Sequence, residues 1–78
     1  MSTLTDKKIN RAKKVWFTEE RLYVLLEDGR EIGTPIEWFP KLRQASREHL
    51  NNWRLIGGGI GIHWEGLDED LSVNGLLK

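Results

Sequence analysis

The clearest pattern of apolar and polar positions lies at residues 21–28. In "RLYVLLED", Leu22, Val24 and Leu26 share one face of an extended segment while Tyr23, Leu25 and Glu27 take the other. That period of two marks a half-buried strand. "KKVWFT" reads as a strand before it, joined through Thr18 to Glu20, although two glutamates make a poor tight turn. "EDGRE" is a stronger turn signal, because Asp28-Gly29 suits the positive φ angles of a two-residue type I′ hairpin. It leads into a short third strand, Arg30 to Thr34. Pro35 has no N–H to give and ends the ladder or confines it to an edge.

The period changes at Glu37. Trp38, Leu42 and Ala45 fall at i, i+4 and i+7, one inward face of a helix whose first turn tolerates Pro40. Ser46 suits the N-cap of a second short helix, "REHLNN", with Leu50 and Trp53 facing inward. In "WRLIGGGIGIHW", two short strands flank a turn at Gly58-Gly59, and Ser72 caps a last helical turn, Val73 to Leu77. The expected order is β-β-β-α-α-β-β-α. This is an α+β fold: a small antiparallel sheet of about five short strands with two or three short helices packed on one face. Residues 1–12 are expected to be a flexible basic arm and residues 13–78 a single domain.

A chain of 78 residues buries roughly 60 to 65% of its unfolded surface, which leaves a thin stability margin. With no cysteine, neither a disulfide nor a zinc-thiolate site adds to it. Four tryptophans are the largest apolar groups available, for a core or for a partner. No apolar run reaches the roughly 18 to 20 residues that span a bilayer, and "MSTLTDKKINRAKK" lacks the apolar centre of a secretory signal. The expected location is the cytoplasm.

Charge balances overall but not locally. Lys7, Lys8, Arg11, Lys13 and Lys14 against Asp6 give residues 1–14 a net charge of +4, and Glu65, Asp68, Glu69 and Asp70 give residues 65–70 a net charge of −4. A neutral total argues against strong nonspecific nucleic-acid binding, which depends on neutralising phosphates. An acidic end and a basic end suit a partner of complementary charge.

The recognised chemical motifs are missing. "GGGIG" is not followed by the Lys-Ser or Lys-Thr of a phosphate loop, and a dinucleotide pattern counted from Gly59 has Trp64 where its third glycine should be. His63 and Glu65 share one face of a strand and have Asp68 nearby, but nothing places His49 beside them to complete a metal site. There is no nucleophile elbow and no cysteine nucleophile. A domain this thin leaves little room to enclose a substrate. The expectation is a protein that is not an enzyme, with no catalytic, metal or cofactor-binding residues. Trp16 and Trp64 are read as out of phase with their aliphatic neighbours and so as candidates for exposure. An exposed tryptophan beside carboxylates is a common ingredient of a protein–protein hot spot.

"DGREIGTPIEWFPKL" and "REHLNNWRLIGGGIGIHWEGLDEDLSVNGLL" strongly resemble the small bacterial family known as domain of unknown function 2442. The resemblance runs from about Val15 to the C-terminus. Its most specific parts are Pro35, Trp38, Phe39 and Pro40, the "NNW" of Asn51 to Trp53, and the "GIHWEGLDEDLSVNGLL" ending. It implies a compact α+β module, commonly encoded beside a small basic protein in what looks like a toxin–antitoxin pair, with this module as the antitoxin. Other members add a C-terminal helix-turn-helix domain. With this chain ending at Lys78, the expectation is partner binding rather than direct operator binding. The residues expected to bind that partner are Trp64 as anchor, Asp68, Glu69 and Asp70 as a steering group, and Glu65. The alternatives are a nucleic-acid-associated regulator using Lys7, Lys8, Arg11, Lys13 and Lys14, or a homodimeric structural domain.

Overall fold

The structure is a computed structural model that describes residues 9–77. Strands β1 (Ala12–Phe17), β2 (Arg21–Leu26) and β3 (Glu31–Pro35) form an antiparallel sheet in that order. Helices α1 (Pro40–Arg43) and α2 (Arg47–Leu50) lead to a second antiparallel sheet of β4 (Trp53–Ile56), β5 (Gly61–Trp64) and β6 (Glu69–Ser72), and α3 (Val73–Leu76) closes the chain. The α+β class is as expected. The described residues form six strands in two three-stranded sheets, rather than about five in one. The additional strand is β6, whose acidic residues had suggested only a turn. No helix among the described residues is long and apolar enough to cross a membrane.

Turn chemistry explains the first sheet. Glu19 and Glu20 connect β1 to β2 because Thr18 closes the turn twice. Its N–H donates to the Arg21 carbonyl at 3.0 Å, and its Oγ1 accepts from the Arg21 N–H at 3.1 Å. The next hairpin differs from the expected type I′ turn. The Leu26 N–H donates to the Arg30 carbonyl at 2.8 Å and the Gly29 N–H to the Leu26 carbonyl at 3.0 Å, so three residues form the loop. Of these only Gly29 has positive φ, at 96°, the pattern of a type I turn followed by a left-handed residue. Pro35 is the last residue of edge strand β3, where its missing N–H costs no ladder bond.

One core joins the sheets. Val15, Leu22, Val24 and Leu26 point inward from the first sheet and meet Leu42 of α1, Ile62 and Trp64 of β5 and Val73 of α3. Gly57, Gly58 and Gly59 all have positive φ (62°, 72° and 108°), a run that side-chain-bearing residues resist. This run brings Gly59 so close to β1 that an added Cβ would lie 2.7 Å from the Ala12 carbonyl oxygen. The Arg11 guanidinium fastens the same loop by donating to the carbonyls of Gly57 at 3.1 Å and Gly58 at 3.3 Å. Residues 10–12 of the expected arm are thus held against the fold, with Ala12 buried in β1.

Three tryptophans differ from expectation. Residues Ile36–Trp38 form a separate 3-10 turn, and helix α1 starts only at Pro40 after the extended Phe39. Helical spacing therefore does not run from Trp38 to Leu42; Ile36 takes the buried place and Trp38 is 64% exposed. Trp53 opens strand β4 instead of extending the preceding helix. Trp64 stands two residues from Ile62 on one strand, so both share the inner face and both are fully buried.

Candidate functional site

The acidic segment is built as a reversal between two paired strands. After β5, Glu65–Leu67 make one 3-10 turn, and Asp68 takes a left-handed conformation (φ 53°) that reverses the chain into β6. Aspartate tolerates that conformation better than most side chains. The register then sets His63 opposite Asp70 and Trp64 opposite Glu69. Because consecutive side chains leave a strand on opposite faces, Asp70 and Glu69 point away from each other. The four carboxylates are therefore divided: Glu65 and Asp70 on the outer face of the second sheet, Glu69 on the inner side, and Asp68 in the turn.

On the outer face a polar row crosses the sheet. Arg54, His63 and Asp70 occupy matching positions on β4, β5 and β6. His63 Nδ1 contacts Asp70 Oδ1, while His63 Nε2 lies 3.7 Å from Glu65 Oε1 and Arg54 Nε lies 3.4 Å from that same oxygen. The two carboxylates thus address opposite edges of one imidazole and do not converge on a common point. No group of three or more His, Cys, Asp or Glu among the described residues could hold a metal ion. The Asp70–His63 pair has the form of a base with its orienting carboxylate. Where that arrangement needs a nucleophile, Glu65 stands instead. The His49 ring lies against Gly66 of the Glu65–Leu67 turn, so close that a Cβ there would be 2.6 Å from its Cδ2, while its Nδ1 is 3.0 Å from Ser46 Oγ.

On the inner side, Lys41 of α1 lies 3.7 Å from Glu69 and donates to the Asp68 carbonyl at 3.3 Å. The acidic group is thus partly neutralised by the chain's own cations, Arg54 and Lys41, which sequence reasoning did not place there. The Arg54–Glu65 pair is solvent-exposed and Lys41–Glu69 partly so, and such pairs are worth about 0 to 1 kcal/mol each, so an incoming cation displaces them at small cost.

Among the described residues strand β6 is also an open sheet edge, since it pairs there with β5 alone. The Val73 N–H donates to the Ile60 carbonyl at 2.9 Å. Alternation from that bond turns the backbone groups of Leu71 and Glu69 toward β5 and those of Asp70 and Ser72 outward.

The expected anchor is not on this surface. Trp64 is fully buried, and its indole N–H donates to the Leu50 carbonyl at 3.0 Å. Trp38 is the most exposed large apolar side chain among the described residues, three positions before Lys41. Trp16 lies on the outer face of the first sheet, stacked on Tyr23 with centroids 5.6 Å apart. Of the basic residues proposed for nucleic acid, Lys7 and Lys8 lie outside the described residues. The Arg11 side chain is engaged by Gly57 and Gly58, and Lys13 and Lys14 are exposed on β1.

Comparison with known proteins agrees with this architecture. The profile of the family described as "Protein of unknown function (DUF2442)" matches residues 12–78. A crystal structure of a protein of unknown function from Rhodospirillum rubrum is similar at 36% identity, with a TM-score of 0.77 over 90% of this chain and 87% of that one. A solution structure of an uncharacterised protein from Chromobacterium violaceum is similar at 26% identity, with a TM-score of 0.73 over 86% of this chain and 63% of that one. No curated protein matches. The chain belongs to the DUF2442 family.

Proposed function

We propose that this DUF2442 member is a non-enzymatic protein-interaction module, the antitoxin-like partner of a small basic protein encoded nearby. The observation that carries the reading is that β6 is an open edge strand with carboxylates on both of its faces. A partner strand adding to that edge bonds to the outward backbone groups of Asp70 and Ser72. Its side chains then alternate between Asp70 with Glu65 on one face and Glu69 on the other. Basic residues at those positions take over from Arg54 and Lys41. The long reach of arginine and lysine also brings Asp68 within the contact, and Trp38 offers an exposed aromatic surface.

The test is co-purification with the small basic protein encoded next to this chain. Asp68→Asn, Glu69→Gln and Asp70→Asn together are expected to weaken the complex at least about tenfold at low salt, since charge steering and pairing are both lost. A complex indifferent to the triple change at low and high salt alike overturns the acidic-edge reading.

A further inference from the structure

A second surface is independent of the acidic edge. An open groove of about 1010 Å³ runs between the β1–β2 turn and the α1–α2 junction. Phe17, Ile36 and Leu50 lie along its floor, and its rim carries three glutamates and three arginines. Glu19 and Glu20 form one lip, from the turn; Arg43 and Arg47 form the other, from the two helices. Arg21 and Glu37, one of each sign, lie beside the acidic lip, since Arg21 pairs with Pro35 and the Ile36 N–H donates to the Glu20 carbonyl. None of these six side chains makes a hydrogen bond or ion pair with another described residue, unlike the carboxylates of β6.

The distribution of charge selects among occupants. A polyanion gains from the guanidinium groups and loses to an equal number of carboxylates, so a nucleic acid finds no net attraction here. A wholly basic or wholly acidic protein segment meets the same cancellation. A surface with one acidic lip, one basic lip and an apolar floor is, however, complementary to itself.

We infer that this groove is a homodimer interface whose occupant is a second copy of the chain. Two copies meet face to face about a two-fold axis running along the groove. Rotation about that axis sets Glu19 and Glu20 of each copy opposite Arg43 and Arg47 of the other, while the apolar floors face one another. An axis across the groove sets like charge against like and is disfavoured. The contact is isologous and closes at two copies. Its residues are separate from β6, so the inference stands or falls apart from the partner reading.

The experiment is sedimentation equilibrium of the full chain from micromolar to millimolar concentration, in low and high salt. Self-association is expected, weakening as salt screens the lips. Glu19→Arg with Glu20→Arg, and separately Arg43→Glu with Arg47→Glu, are each expected to weaken it at least about tenfold by opposing like charges. An equimolar mixture of the two double variants is expected to restore a dimer, because every lip then faces its opposite. All four positions are exposed, and an unchanged melting temperature verifies that each variant is folded. A chain monomeric at every concentration, association unaffected by the variants, or a mixture that stays monomeric overturns the proposal.

Discussion

The indole N–H of Trp64 donates to the backbone carbonyl of Leu50 at 3.0 Å. One bond thereby fixes the end of helix α2 to the middle of the molecule. The same indole makes a T-shaped contact with Phe17 from the other sheet, with centroids 6.2 Å apart and planes at 64°. Trp64 thus satisfies a carbonyl at a helix terminus and closes the seam between sheets, a combination no smaller aromatic reproduces.

Trp64→Phe keeps an aromatic ring but removes the donor and part of the volume. It is expected to cost about 2 kcal/mol or more, since a part-buried acceptor loses its partner and a gap opens. Trp64→Ala should cost about 3 to 5 kcal/mol, a large fraction of the stability of so small a domain. Urea denaturation followed by circular dichroism measures both.

Trp38→Ala is expected to change stability by less than about 0.5 kcal/mol, because most of that side chain is in solvent. If Trp38 contributes to the proposed partner contact, the same variant weakens the complex while its melting temperature stays constant. Thermal unfolding alongside a pull-down separates the two effects.

Two glycines with positive φ should respond differently to alanine. At Gly29 an added Cβ meets nothing within 4 Å, so only the left-handed backbone resists, at about 1 to 2 kcal/mol. At Gly59 the same methyl also meets the Ala12 backbone at 2.7 Å. Gly59→Ala is therefore expected to be clearly the more damaging, and comparison of the two urea midpoints checks the order.

Ser46 Oγ accepts the His49 N–H at 3.2 Å at the start of α2. Ser46→Ala should cost about 0.5 to 2 kcal/mol and Ser46→Asp should retain most of the cap. Thermal melts of the two variants give the comparison.

The β1–β2–β3 meander was legible because Leu22, Val24 and Leu26 alternate cleanly and Gly29 marks a turn. Ser46 was legible as a cap for a similar local reason. The acidic segment was harder to read. Glu69 and Leu71 alternate with Asp70 and Ser72 as a strand requires, but three carboxylates in a row obscured a period carried by only one apolar residue. The exposure of Trp38 was hidden because i, i+4 spacing assumes one continuous helix, and Phe39 interrupts it. Trp64 was misassigned although its two-residue spacing from Ile62 already placed both on one face.

Local pattern determined the first five strands, the turns between them and the residue that caps α2. These properties depend on neighbours a few positions apart. Tertiary structure alone decided that the strands divide into two sheets and that Arg54 and Lys41 attend the acidic strand. Each of those outcomes depends on which distant surfaces exclude water from one another, and that is settled only when the two sheets close over a shared core.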